Sequence, residues 1–238
     1  MGSWIWAPII PKLEAADFEC SALTLSGLHS DGDAERIQLE THVREVVEHV
    51  ENLGCERVSL IGHSYSGILA TIAAAELGDR VNSLVMVEAF FPEADKSPLE
   101  SFGLDAEQEK SLINENSGRW PHPTRAELLD SPHLEEEAVY WLLERFIDHP
   151  GKTVSEPVNF DGDLRSLNVL FIANEFPSKY ESLLESPKWK HVRIDAGHWP
   201  MLADPDSLAS IMADNIHELD GEQGVADQHP ARGESKAP

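Results

Sequence analysis

Basic side chains are scarce in this chain: 18 Lys and Arg stand against 43 Asp and Glu, a formal charge of −25 over 238 residues. A surface of that sign repels phosphate backbones and anionic lipid heads, which excludes nucleic acid and membrane surfaces as partners. Cysteine is rarer still. Cys20 and Cys55 lie in different segments without CxxC spacing and without a secretory leader, so both are expected to be reduced in a cytoplasmic protein. Long apolar runs are missing too, since Trp4 to Ile10 is short, interrupted by proline and lacks a basic region before it. The eleven histidines show no paired metal-ligand spacing, so neither a metal nor another cofactor is expected.

What is present is ordinary globular material, 41% hydrophobic and 26% charged, in a length that suits one domain with an insertion. Short runs rich in Val, Ile and Leu alternate with amphipathic stretches, which predicts a mostly parallel, doubly wound α/β sheet covered by helices. Five strands are expected, at Phe18 to Leu25, Arg57 to Ile61, Val81 to Glu88, Asn168 to Ala173 and His191 to Asp195. Leu39, Val43, Val46, Val47, Val50 and Leu53 form a helical stripe, with Gly54 as its stop. The rhythm breaks between 92 and 165, where short helical patterns and no convincing strand predict an inserted helical lid. The core therefore divides into 1–91 and 166–218. Residues 219–238, rich in Gly, Pro, Ala and charge, are expected to be a disordered tail.

The most informative segment runs from Arg57 through Gly62-His63-Ser64-Tyr65-Ser66-Gly67 into a helix of small residues, Ala70 to Ala75. A serine on so tight a strand-to-helix turn is pushed out over the sheet edge, and small neighbours let strand and helix approach closely. The usual GxSxG spacing is altered, with Ser66 in its fifth position and the glycine one later at Gly67. A serine hydroxyl needs an imidazole to take its proton. His198, in Asp195-Ala-Gly-His198-Trp-Pro, directly follows the last expected strand and so reaches the same carboxyl edge of the sheet. His63 is expected to line the pocket or brace the elbow, and Trp199 to help wall an apolar pocket.

With both motifs in order, the chain resembles the α/β-hydrolases from Trp4 to about Leu219. Gly62 to Gly67 and Gly197 to Leu202 are similar to segments of small serine esterases related to plant methylesterases and hydroxynitrile lyases. The resemblance implies a cofactor-free serine hydrolase acting on a small, mostly apolar ester through an acyl-enzyme, with Ser64 as nucleophile and His198 as base and acid. Hydroxynitrile-lyase-like or perhydrolase-like chemistry, or a ligand-binding protein without turnover, are the alternatives on this fold. A homodimer is compatible with an exposed lid edge.

The third member should be a carboxylate. The commoner family location falls at Asn174-Glu175-Phe176-Pro177, where the aspartate is absent and Glu175 is the substitute. The rarer one, as in haloalkane dehalogenases, falls at Glu88, 24 residues after Ser64. Glu88 is preferred, because a carboxylate ending an apolar strand needs a partner such as His198. The backbone N–H of Tyr65 is the expected first oxyanion donor. The second normally follows a His-Gly pair ending an earlier strand, which is missing here. Without that strand, Phe18 to Leu25 and Arg57 to Ile61 would stand about 9.6 Å apart, too far to pair. DNA upstream of Met1 is therefore expected to encode an apolar strand ending in His-Gly.

Overall fold

The apolar runs dictate the sheet in the computed structural model, which describes residues 1–29 and 34–226. Among these residues the strands are β1 (Val58–His63), β2 (Val81–Val87), β3 (Arg119–Trp120), β4 (His149–Pro150), β5 (Val169–Ala173) and β6 (Trp189–Arg193). Four of them form one sheet in the order β1-β2-β5-β6, and every neighbouring pair is parallel. Parallel neighbours need crossovers, which α3 (Ser66–Leu77) provides between β1 and β2.

The central strands are buried on both faces, and their alternation separates two cores. Val85, Val87, Leu170 and Ile172 pack with Leu208 and Met212 of α10 (Pro205–Ala226). Leu84, Met86, Val169 and Phe171 turn the other way, toward Ala70 and Ala74 of α3. Each such side chain taken from water contributes about 1.5–3 kcal/mol, which is why these strands read as nearly continuous apolar runs. On the outer face of α3 lies α2 (Leu39–Asn52), its stripe burying Leu39, Val43 and Val50. The chain opens with α1 (Ile10–Glu14), which contributes Leu13 to the α10 side of the core.

Three expectations are corrected. Phe18 to Leu25 forms no strand. A ladder needs a neighbour within about 4.8 Å, and instead Thr24 Oγ1 accepts the Ser3 N–H at 2.8 Å while Glu45 accepts from the Ser26 N–H at 2.9 Å. The inserted segment is helical, with α4 (Pro98–Ser101), α5 (Ala106–Glu115), α6 (Arg125–Leu129), α7 (Glu136–Leu143) and α8 (Lys152–Ser155), but it also holds the antiparallel pair β3-β4. That pair has no alternating pattern to betray it; Arg119 braces it by donating to Gly27 O at 3.1 Å and Asp148 O at 2.7 Å. Finally, α10 follows α9 (Pro200–Ala203) and continues to Ala226, so the first part of the expected tail is helix. Extending an existing helix costs little once it is nucleated. Residues 227–238 lie outside the described residues. Among those described, no helix is long and apolar enough to cross a membrane.

Candidate active site

Ser64 and Tyr65 make the turn between β1 and α3. Ser64 has φ +53, a left-handed conformation that a residue with a Cβ adopts only under constraint. The constraint is visible: Ser64 N–H donates to Val87 O at 3.2 Å, and Phe90 N–H donates to Ser64 O at 3.2 Å. Two glycines permit it. A Cβ at Gly62 would lie 2.8 Å from the Cα of Gly67, and one at Gly67 would lie 2.7 Å from Phe90 O. The close approach at Gly62 is made by Gly67 and by the Ser66 carbonyl carbon, at 2.9 Å, so it involves the Ser66 backbone and not its side chain, which explains why the shifted spacing still makes the turn. Among the described residues no acceptor meets the Tyr65 N–H, which leaves it available at the amino end of α3.

His198 lies on the loop between β6 and α9, at the carboxyl edge that also carries Ser64. The loop turns at Gly197, φ +62, where a Cβ would sit 2.4 Å from Pro132 O, between α6 and α7. The His198 ring centroid is 4.8 Å from that of His63 and 5.2 Å from that of Trp199. Burial lowers its pKa to about 4, so the imidazole is neutral at neutral pH. His63 is buried, and its Nε2 lies 2.7 Å from His198 O. Since a carbonyl can only accept, Nε2 carries the proton, leaving Nδ1 bare and, among the described residues, without a partner. Burial, then the nearby His198, push His63 well below the ordinary histidine range.

The structure does not bring the glutamates to the imidazole. Glu88 directly follows β2 at the carboxyl edge of the sheet, with φ +43, but its Oε1 accepts the Asn174 N–H at 2.8 Å. Burial raises its pKa, and the Asn174 bond partly offsets this. Glu175 is exposed. Among the described residues no carboxylate hydrogen-bonds the His198 ring. Trp199, expected on a pocket wall, and His63, expected to line the pocket or brace the elbow, are both buried: Trp199 is 6% exposed and lies 5.5 Å from His63 and 6.0 Å from Phe146, ring to ring.

A second polar cluster has no local sequence signal. The Tyr65 hydroxyl is 3.0 Å from His42 Nδ1, and His42 Nε2 is 2.9 Å from Ser26 O. The carbonyl again fixes the tautomer, so Tyr65 donates to the bare Nδ1. His149 of β4 meets the Tyr65 ring edge-on at 4.6 Å and reaches Thr153 Oγ1 at 3.0 Å. His42 is a buried residue of α2 and His149 belongs to a two-residue strand, so only the tertiary fold unites them.

The chain matches the Alpha/beta hydrolase family over residues 1–211. It belongs to that family. A carbendazim hydrolyzing esterase of Nocardioides sp. (strain SG-4G) is 26% identical to this α/β-hydrolase over 235 residues, covering 89% of this chain and 94% of that protein. Methylesterase 8 of Arabidopsis thaliana is 31% identical over 108 residues, which span 44% of this chain and only 39% of that protein. Among solved structures, an extracellular alpha/beta-hydrolase from a Paenibacillus species superposes with a TM-score of 0.73 at 15% identity, covering 90% of this chain and 93% of that one. Polyneuridine aldehyde esterase gives 0.69 at 18% identity, covering 91% and 95%. The chain is an enzyme of the hydrolase class, and its fold is that of the α/β-hydrolases.

Proposed function

We propose that the protein hydrolyses a small, mostly apolar carboxylic ester through an acyl-enzyme. The left-handed Ser64, held on the elbow between β1 and α3, is the observation that carries this reading. The esterase names of its relatives support the reaction class, and the charge of −25 weighs against anionic substrates.

Ser64 Oγ attacks the ester carbonyl while His198, neutral because it is buried, takes the hydroxyl proton. The Tyr65 N–H donates to the oxyanion as it forms. Collapse breaks the bond to the alcohol, which leaves with the proton from His198. Water repeats the sequence on the acyl-enzyme and frees the acid. Of the two glutamates, Glu88 is the acid we assign to orient His198, because it is half-buried beyond β2 whereas Glu175 is exposed; neither hydrogen-bonds the His198 ring in this structure. Turnover of a short-chain 4-nitrophenyl ester tests the proposal: the parent protein should release nitrophenol and Ser64→Ala should not. Equal rates in the two proteins would refute it. The second reading, a ligand-binding protein without turnover, draws on the lack of a carboxylate bonded to His198, and folded parent protein that turns over no ester would favour it.

A further inference from the structure

We propose that His63 is a positioning residue for the reaction, tying the loop that carries His198 to the elbow that carries Ser64. The inference rests on the ester-hydrolase reading of the site and adds to it a part that Ser64, His198 and Glu88 do not supply.

The bond from His63 Nε2–H to His198 O joins residues 135 apart in sequence, at 2.7 Å. Its donor is anchored in the sheet: His63 is the last residue of β1, in register with Val87 of β2, and is 3% exposed. Its acceptor is the main chain of the candidate base itself, so the bond fixes where the His198 backbone stands relative to Ser64, the residue after His63. Shielding from water strengthens a hydrogen bond of this kind. The His198 loop is also held by Gly197 against Pro132, by Asp195, whose Oδ1 lies 3.3 Å from His133 Nε2, and by buried Trp199, but none of these hydrogen-bonds His198 itself, and among the described residues no carboxylate hydrogen-bonds its ring. The rings of His63 and His198 also approach to 4.8 Å, so loss of the His63 ring opens space beside the base. Catalysis between two groups on separate loops is sensitive to their spacing, and a shift of about 1 Å can cost on the order of a hundredfold in rate.

The test compares His63→Gln, whose amide N–H can take the place of Nε2–H, with His63→Leu, which cannot donate. With a 4-nitrophenyl ester, His63→Leu should lose about ten- to a hundredfold in kcat with KM little changed, and His63→Gln should recover most of that loss. Parental kcat in His63→Leu, or equal losses in both variants, would overturn the proposal. Where His63→Leu does not fold, long-range 1H–15N spectra of the parent protein decide it. The expected result is a neutral His63 protonated on Nε2 with bare Nδ1, and the opposite tautomer contradicts the tie. That spectrum needs no turnover, so failure of the tie and failure of the ester-hydrolase reading remain distinguishable.

Discussion

Ser64 and Glu88 stand side by side at the ends of neighbouring parallel strands, each one residue beyond the paired His63 and Val87, and each with a left-handed backbone, φ +53 and +43. Two such residues at adjacent strand ends concentrate backbone strain at the carboxyl edge of the sheet. Strain of this kind, about 1–3 kcal/mol per residue, persists only where surrounding structure enforces it. At Ser64 the enforcement is the pair of main-chain bonds to Val87 and Phe90; at Glu88 it is the N–H bond to Ile172 O at 2.9 Å.

The glutamates can be separated by isosteric substitution. Glu88→Gln keeps an oxygen for the Asn174 N–H, so stability should change little, whereas loss of the orienting charge should lower kcat by about a hundredfold or more. Glu175→Gln should leave kcat near the parent value. Steady-state kinetics of the two variants check this, and a reversed order would move the acid to Glu175.

Burial of neutral imidazoles sets the pH response. His198 falls from the ordinary 6.5 to about 4, and His42, His63 and His149 are also lowered, chiefly by burial. The unfolded chain binds protons at these sites before the folded one does, so their stabilising effect is complete above about 6.5 and is lost as pH falls toward 4. Glu88, with its pKa raised, acts in the opposite sense. Denaturant titrations should show stability declining over that window. The acid limb of kcat/KM should lie near 4; a limb near 6.5 would show that His198 is solvated.

Removing the Tyr65 hydroxyl isolates the second cluster. Tyr65→Phe leaves His42 Nδ1 buried without its donor and should cost about 1–3 kcal/mol in urea unfolding. Adding His42→Leu to that variant should cost less than the two single changes together, because each removes the same bond.

The shifted glycine also makes a prediction. Gly67→Ala places a Cβ 2.7 Å from both Ala89 Cβ and Phe90 O, and should cost about 1–3 kcal/mol or more. Ser66→Gly restores the usual spacing but should change stability by less than about 1 kcal/mol. Thermal melts of the two variants check both values.

Most of the sheet was legible because its strands are buried on both faces and so read as apolar runs between helical stripes. The Gly62 to Gly67 turn was legible for a similar reason, since local packing demands small residues there. What escaped were features made by contacts distant in sequence. The β3-β4 pair depends on Arg119 reaching Gly27 and Asp148, and the cluster at Tyr65 draws on α2 and β4. Phe18 to Leu25 has strand composition but no neighbour to pair with, and composition alone cannot supply one. Trp199 adjoins His198 in sequence, which suggests a pocket wall, but its ring is packed in the interior, next to that of His63 at the end of β1.

In the proposed mechanism Ser64 is a nucleophile activated by His198. A serine-directed fluorophosphonate, followed by peptide mass analysis, reads this out without any substrate. Covalent addition on the peptide containing Ser64, absent in Ser64→Ala and strongly slowed in His198→Ala, is the expected result. A folded protein that takes up no label, or takes it up equally after Ser64→Ala, would contradict the claim.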